Sequence, residues 1–402
     1  GDGNPATGAI NEGPDAITWS TATPDTVTVM MDVSDTGSGS DRIDHVRILV
    51  ETRQARESHW LATESGSWEN DDNWSTGFYP DNGRVIGSSR YNVTIDDEQH
   101  VELSSFVDIE QITLTSRGEL DIRAGGDLTI NNGRISAAGP DGGSDGGNIR
   151  LMGATPTAAA HLHINGATLA TGGGNIVFAS NQQNLVSALD PANDILTMDG
   201  GFRIETAGPQ TSGEIQTQLI NNGAVVANGG NIEIDYVGNP AGANAIVNTG
   251  VLSAANGGTL TLEGANVRNA DNGRLLADGD NSAIHLDSAT TVTGGAIAGN
   301  GRVRVRDQGI RVNDVAVEEE ARLLIDDQFQ LTLGSDGLTN NGLLSVWSTS
   351  TGFPTRLSVD GDVTVDGSGT ILIRGGGTGL IGPANSGNGA HSLTLGENQE
   401  LR

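Results

Sequence analysis

The sequence predicts an all-β protein built as a right-handed parallel β-helix, or β-solenoid. Within residues 221–286 one motif occurs three times: a glycine, two alternating apolar residues, a Gly- or Asp-rich turn and a second apolar alternation. The glycines, Gly223, Gly250 and Gly273, stand 27 and 23 residues apart. Alternating apolar residues between Asn-Gly and Gly-Gly turns are typical of short strands with one buried face. A repeat of this length cannot bury that face alone, so neighbouring units must stack.

Composition agrees with a narrow, stacked interior. Of the 402 residues, 59 are glycine, whereas aromatic residues make up only 3%. A globular core of this length normally uses more Phe, Tyr and Trp, but an interior of stacked Val, Ile, Leu and Ala does not need them. Cysteine is absent, which neither requires nor excludes export, because ladder hydrogen bonds along the chain can replace disulfides. No apolar run reaches the roughly 18 residues of a membrane-spanning helix.

The charge excludes some partners. The chain has 51 acidic and 21 basic residues, a formal net charge of -30, and every basic residue is an arginine. Nucleic acids and anionic membranes bind clustered positive charge, so neither is an expected partner. An acidic surface keeps an extracellular protein soluble and can hold divalent cations loosely. We therefore expect a secreted or cell-surface protein.

Residues 1–58 are predicted to form a separate, small β-sandwich-like segment. The stretches 17–21, 26–33 and 41–52 are longer alternating strands than those of the repeats. They are typical of an immunoglobulin-like or cadherin-like module, but a whole sandwich needs about seven strands. The segment is therefore either the remnant of a preceding module or a set of strands donated to another surface.

Residues 59–91 are predicted to cap the β-helix. They contain three of the five tryptophans, Trp60, Trp68 and Trp74. The open end of a solenoid needs an apolar plug, which large rings provide. The alternative is that the rings stack on sugars, as an interface or ligand site.

The same segment carries a resemblance to a known class of proteins. GSWENDDNWSTGFYP, followed by YNVTID, resembles the stretch that opens the β-helical repeats of large bacterial surface proteins, and VTGGAIAGNGRVRV resembles their repeats. These proteins include autotransporter-passenger-like and filamentous-haemagglutinin-like adhesins. The resemblance spans about 60–402 and implies a β-helical surface adhesin.

Residues 92–402 are predicted to be the β-solenoid itself. About a dozen coils at about 4.8 Å each give a length on the order of 60 Å. Loops are inserted at 139–147 and 181–193. Asparagines at the turns are expected to stack their amides on the next coil. The residues predicted to line one continuous interior are Val225, Ala227, Ile232, Ile234, Leu252, Leu260, Leu262, Leu275, Ile284 and Leu286.

Concentrated positive charge is predicted at the arginine stripe, which comprises Arg302, Arg304 and Arg306. If Val303 and Val305 point inward, the three guanidinium groups share one outer face at about 6.6 Å spacing. Arg311 is expected to extend the stripe. Three roles stay open: ion pairs with acidic residues at 318–320 or 326–327, a contact with another subunit, or a grip on an acidic glycan.

Metal-binding candidates in the sequence are weak. His161 and His163 share a face without an evident third ligand. Glu233 and Asp235 share a face of a continuous strand with no pocket-forming insertion beside it, so solvated faces are expected for both pairs. Two Asp-rich turns could bind Ca²⁺ through carboxylates and backbone carbonyls, without EF-hand spacing. We therefore expect no obligate cofactor, with calcium as an open possibility. The calcium candidates in these turns are Asp141, Asp145, Asp278 and Asp280.

No catalytic constellation stands out. The sequence has no G-x-S-x-G motif, no cysteine nucleophile and no lysine base, so a non-enzymatic protein is expected. Many β-helices nevertheless cleave polysaccharides, which keeps a lyase, hydrolase or tailspike-like depolymerase as an alternative. A Ca²⁺-dependent glycan-binding module is the third possibility. Sequons at Asn73 and Asn92 do not establish glycosylation.

The function expected from these observations is structural and adhesive. The chain would be a rigid, anionic segment of an extracellular fibre, filament or sheath, in contact with itself, with further modules of a longer chain or with surface glycans. The stretch 390–402 still has strand alternation and no capping sequence. We therefore expect either a continuing chain or head-to-tail assembly, with strands from 17–52 as the donated element.

Overall fold

A computed structural model describes the chain except residues 1–27, 34–45, 52–54, 85–88, 97–98, 116, 139–145, 156, 236–245, 271 and 385–390. The chain divides into two units, Gly1–Gln54 and Ala55–Arg402. In the first unit, strands Thr28–Val33 and Val46–Glu51 pair antiparallel. The strand expected at 17–21 lies outside the described residues, and the sandwich-like module stays a prediction.

The second unit is a parallel β-helix, which confirms the predicted fold class. Each coil contributes one short strand to each of three parallel sheets, here called A, B and C. Sheet A has 14 strands. These strands are Gly66–Ser67, His100–Leu103, Glu119–Arg123, Asn148–Met152, Asn175–Phe178, Arg203–Thr206, Ala224–Asn228, Val251–Ala255, Arg274–Asp278, Ala296–Ala298, Val315–Val317, Leu338–Asn340, Asp362–Asp366 and Ser392–Leu395.

Sheets B and C follow sheet A in every complete coil. The strands of sheet B are Phe106–Thr115, Asp127–Ala138, Ala160–Asn165, Asn184–Ala188, Ser212–Gln216, Asn231–Asp235, Thr259–Glu263, Ala283–Asp287, Arg302–Val305, Arg322–Ile325, Leu343–Trp347, Thr370–Arg374 and Glu400–Leu401. Those of sheet C are Arg56–His59, Tyr91–Ile95, Ala167–Gly172, Ile195–Met198, Gln218–Asn221, Ile246–Asn248, Asn266–Asn269, Thr291–Thr293, Ile310–Asn313, Gln330–Leu333, Thr355–Val359 and Gly379–Pro383. No helix in the described part of the chain is long and apolar enough to cross a membrane.

Two long strands, Phe106–Thr115 and Asp127–Ala138, run through both sheets, their first halves in B and their second halves in C. The second strand bends at Gly133. A Cβ atom there would lie 1.6 Å from the carbonyl oxygen of Glu110 in the preceding coil, so no other residue fits. This close approach explains why a glycine stands at the corner of the coil.

The predicted interior is confirmed. All ten residues expected to line it are at most 1% exposed. Strand register explains the continuity, since Ile232 pairs with Leu260 and Leu260 pairs with Ile284 in successive coils of sheet B. Apolar side chains at the same position in each coil therefore stack directly on one another. Each fully buried side chain of this size contributes roughly 2 kcal/mol.

Asparagines stack at the end of sheet C, as the sequence predicts. Asn221, Asn248 and Asn269 are buried and occupy the same position in three successive coils. The Asn221 Nδ2 donates to Asn248 Oδ1 at 2.7 Å, and Asn248 Nδ2 donates to Asn269 Oδ1 at 2.8 Å. These hydrogen bonds satisfy polar groups that would otherwise be buried without partners. We call these three residues the asparagine ladder.

The tryptophan-rich segment plugs the interior. Trp60, Trp68 and Trp74 are 3%, 0% and 1% exposed, and the Trp74 ring lies 5.1 Å and 4.7 Å from the other two. Buried rings offer no face to a sugar, so the ligand role considered for them is wrong. The start of this segment pairs within the β-helix, because strand Arg56–His59 pairs with Tyr91–Ile95. The predicted domain boundaries at 58 and 91 remain predictions.

Candidate functional site

The outer face of sheet B carries titratable side chains on many consecutive strands. Neighbouring strands of a parallel sheet are about 4.8 Å apart and in register, so outward side chains at equivalent positions become neighbours. We call this surface the titratable face. Its main members are Asp127, His161, His163, Ser187, Glu214, Glu233, Asp235, Glu263, His285, Asp287, Arg302, Arg304, Arg306 and Asp326.

Four acidic residues of this face, the carboxylate cluster, come from three consecutive coils: Glu214, Glu233, Asp235 and Glu263. Glu214 is opposite Glu233, and Asp235 is opposite Glu263. One oxygen of each of Glu214, Glu233 and Asp235 lies within 4.8 Å of the others. Sequence analysis found the pair Glu233 and Asp235 but not its neighbours, because strand register cannot be read from one strand.

Proximity of like charges changes how these groups titrate. Burial raises the pKa of Glu233 to about 7, and a hydrogen bond with Glu263 and the negative charge of Glu214 act in the same direction. Burial also raises the pKa of Glu214 and of Asp235, and the charge of Glu263 adds to both shifts. A carboxyl group that holds its proton near neutral pH can act as a general acid or can exchange that proton for a cation.

A groove of about 620 Å³ lies beside the carboxylate cluster. The segment 181–185 lines it, together with outward side chains that include Gln216, Thr261 and Glu233. Sequence analysis placed no pocket-forming insertion beside Glu233, and this expectation is wrong: the insertion at 181–193 reaches the groove and contributes strand Asn184–Ala188 to sheet B. The amide and hydroxyl lining suits a hydroxyl-rich ligand.

The arginine stripe lies on the titratable face as predicted, since Val303 and Val305 are buried. Arg304 forms an ion pair with Asp326 at 2.8 Å. Arg306 is 3.8 Å from Asp287 and 2.8 Å from His285 Nδ1. Burial and the charges of the nearby arginines lower the pKa of His285 to about 4, so this imidazole is neutral and can accept from Arg306.

One expectation about the stripe is corrected. Arg311 does not extend it, because Arg311 lies on a strand of sheet C and forms an ion pair with Asp360 at 2.7 Å. Of the two sets of acidic partners considered, the described contacts of the stripe include Asp326, whereas Glu318 pairs with Arg274. Strand register explains these outcomes, because it determines which residues of neighbouring coils are opposite each other.

The two histidines acquire a neighbour that sequence analysis did not foresee. Asp127, from the preceding coil, has its Oδ2 3.0 Å from His163 Nε2 and 3.6 Å from His161 Nδ1. Burial alone would raise the pKa of Asp127, but hydrogen bonds from His161 and His163 outweigh it and lower the pKa. The pair expected to be a solvated face is therefore a three-residue cluster that includes a buried carboxylate.

The remaining candidates are dispersed. Asp141 and Asp145 lie outside the described residues. Asp278 is exposed, and the Asp280 side chain is 74% exposed and 3.9 Å from Arg322. Among the described residues, neither belongs to a group of three potential metal ligands.

An aromatic side chain that sequence analysis did not single out is exposed instead. Trp347, on the titratable face side of sheet B, is 43% exposed, and the Arg374 guanidinium lies 5.4 Å from the centroid of its ring. Phe353, six residues later, is 68% exposed. Sequence analysis considered only the tryptophans clustered at 59–91, and Trp347 stands apart from that cluster.

Comparison with known proteins gives a limited result. No family model matches the chain, and no curated protein matches it. A similar solved structure is the crystal structure of a TibC-catalyzed hyper-glycosylated TibA fragment. The two chains share 13% sequence identity with a TM-score of 0.31, over 86% of this chain and 95% of the other. Similarity at this level does not identify a function.

Proposed function

We propose that the chain is an extracellular, structural and adhesive β-helix, a rigid anionic segment of a surface fibre, filament or sheath. The observation that carries the proposal is the uninterrupted run of 14 parallel strands in sheet A around one apolar interior. Backbone hydrogen bonds that run along the whole stack resist bending. The net charge of -30 keeps such surfaces apart and hydrated.

The adhesive part of the proposal concerns Trp347. Aromatic rings combine a large apolar face with a polar edge, so exposed ones are frequent where a protein meets a partly polar ligand. Trp347 and the nearby Phe353 are exposed in a chain with few aromatic residues. A sugar ring has the matching chemistry, with an apolar C–H face and polar edges.

Location and adhesion are tested separately. An antibody raised against residues 55–402 should label intact cells of the source organism; labelling that requires cell lysis would overturn the surface location.

For adhesion, the purified chain is applied to an array of neutral and acidic glycans. Trp347→Ala should reduce binding at least about tenfold, whereas the matched control Phe106→Ala, which removes another exposed aromatic ring, should not. Binding that survives Trp347→Ala contradicts the assigned contact.

Self-assembly into a filament is the more specific part of the proposal. Parallel coils leave backbone donors and acceptors at an end of the stack, which a second copy can pair. Sedimentation of the full chain should then show mass rising with concentration. Removal of residues 1–54, which leaves strand Arg56–His59 in place, should reduce this association if the first unit is the donated element. A chain that stays monomeric at high concentration rules out assembly.

A carbohydrate-active enzyme is the second candidate, favoured by the groove and by Glu233. Its pKa of about 7 suits a general acid, and Glu214 supplies a second carboxylate. One oxygen of Glu214 and one of Glu233 lie within 4.8 Å of each other, so two carboxyl groups meet beside the groove. Release of reducing ends from a glycan panel, abolished by Glu233→Gln, would support this candidate; no release by the wild-type chain would exclude it.

A further inference from the structure

We propose that Asp127, His161 and His163 form a binding site for a transition-metal ion of the Zn²⁺ class, independent of the carboxylate cluster. Two imidazoles and one carboxylate are a ligand set that Zn²⁺ and its neighbours in the first transition series accept. The site goes beyond the structural and adhesive role, and neither depends on the other.

Strand register assembles the three ligands. His161 and His163 are two residues apart on strand Ala160–Asn165, so both side chains point to the outer face. His161 pairs with Asp127, and His163 pairs with Thr129, on the adjacent strand Asp127–Ala138. Neither the histidines nor the aspartate needs a loop to reach the others, so rigid backbone on both strands holds the ligand set.

The distances between the ligand atoms fit a single ion. In a tetrahedral site with bonds of 2.0–2.1 Å, ligand atoms lie roughly 3.3–3.4 Å apart. Asp127 Oδ2 lies 3.0 Å from His163 Nε2 and 3.6 Å from His161 Nδ1, which brackets that value. All three ligand atoms lie within 4.8 Å of one another.

The surrounding contacts orient the ligands. His163 Nδ1 is 2.8 Å from Ser187 Oγ in the next coil, which turns the other nitrogen, Nε2, toward Asp127. Metal-binding imidazoles commonly use their second nitrogen in this way. The His161 ring packs edge-to-face on the His163 ring, with centroids 5.3 Å apart. Ser187 is therefore a positioning residue for the His163 imidazole.

A second observation that points to a bound cation is the unpartnered oxygen of Asp127. Asp127 is 8% exposed, and its second oxygen, Oδ1, is buried with no hydrogen-bond partner among the described residues. Thr129 is 2% exposed, and its hydroxyl also has no partner in the described part of the chain. A buried carboxylate oxygen without a partner is costly, and bidentate coordination of a cation through Oδ1 and Oδ2 would remove that cost.

The same contacts also resemble a hydrolytic relay of serine, histidine and aspartate. Ser187 is 5% exposed, however, so its hydroxyl is closed to a substrate of any size. The buried position that excludes a nucleophile is compatible with an ion. The geometry therefore favours the metal site.

The test is metal binding by the full chain after removal of bound metal with EDTA. Isothermal titration with Zn²⁺ should give one site per chain, and Co²⁺ should give the visible absorption of a tetrahedral nitrogen- and oxygen-ligated ion. His161→Ala and Asp127→Asn should each weaken binding at least about 100-fold. Ser187→Ala, which removes only the orienting contact, should weaken it about 10-fold.

A control variant separates this site from others. His285→Ala removes another imidazole of the titratable face and should bind Zn²⁺ as the wild type does. Circular dichroism confirms that each variant is folded, and His161→Ala, at a partly exposed side chain, is the least disruptive. No saturable binding by the wild-type chain overturns the proposal, as does binding that survives both His161→Ala and Asp127→Asn.

Discussion

The carboxylate cluster and the arginine stripe lie on the same sheet face, a few strands apart. They differ in whether the neighbouring coil supplies a residue of opposite charge. In the stripe, Arg304 reaches Asp326 in the next coil, and Arg306 approaches Asp287 in the preceding one. In the cluster, the residue opposite Glu233 is Glu214, and among the described residues neither forms an ion pair with an arginine.

The difference shows how a parallel β-helix determines electrostatics. Register places the same position of successive coils side by side, so charge alternation between coils gives attraction and charge repetition gives repulsion. Two of the three stripe arginines, Arg304 and Arg306, lie beside carboxylates of adjacent coils. In the cluster, burial and neighbouring carboxylates together raise the pKa of Glu233 to about 7, so this region can exchange a proton near neutral pH.

The largest expected effect tests the register on which both regions depend. Leu260 lies between two outward positions of sheet B and is 0% exposed. Leu260→Asp would place an unpaired charge between packed coils, so we expect a loss of at least about 3 kcal/mol of unfolding free energy. Thr293→Asp, at an outward position of sheet C, is the control and should change stability by less than about 1 kcal/mol. Chemical denaturation measures both, and a Leu260→Asp chain as stable as its parent would disprove the register.

A smaller effect tests the repulsion in the cluster. The folded-state pKa of Glu233, about 7, is above its ordinary value of 4.5, so the folded chain binds this proton more tightly than the unfolded chain does. The resulting stability is present below pH 4.5 and is lost as the pH rises through about 7. Because Glu233 is partly exposed, solvent screening reduces the change to about 1 kcal/mol.

Glu233→Gln should flatten this dependence and make the chain more stable at pH 8 than the wild type. Glu318→Gln is the matched control, because Glu318 pairs with Arg274 and its removal should not stabilise. Thermal unfolding between pH 4 and 8 supplies the measurement. Parallel pH profiles for wild type and Glu233→Gln would mean that folding does not raise the pKa of Glu233.

The smallest effect tests the stripe. Arg304→Gln removes the partner of Asp326, and a partly exposed ion pair contributes roughly 0.5–1 kcal/mol. We therefore expect a loss of that size at low ionic strength that disappears in about 1 M salt, where the Debye length is about 3 Å. An effect that persists in high salt would indicate packing of the arginine stem instead.

Sequence analysis predicted the features that depend on one coil. The alternation of apolar residues defined the buried positions, such as Leu260, and the valines beside Arg304 predicted its outward direction. The asparagines at the turns predicted the ladder because an amide can hydrogen-bond to its own kind in the next coil. Each of these properties repeats with the motif, so a single sequence is enough to find it.

Features that depend on which coils meet could not be predicted. Asp127 precedes His161 by 34 residues, and variable loops between coils hide that they are opposite each other. Arg311 follows Arg306 closely in sequence but lies on another sheet. The groove was missed for the same reason, since the stretch 181–193 was taken as a surface loop although it contains a strand. The number of residues per coil varies along the chain. Unless that number is known for each coil, the register between neighbouring strands cannot be derived from the sequence.

The asparagine ladder gives the rod a natural unit of length. Asn221 and Asn248 occupy equivalent positions, and each is followed two residues later by a glycine that opens the next coil. Excision of residues 222–248 would join Asn221 directly to Thr249 and let its amide meet Asn269 instead of Asn248. The rod would then shorten by one coil, about 4.8 Å, and the asparagine ladder would stay continuous. The length of such a β-helix can therefore change by the gain or loss of whole coils.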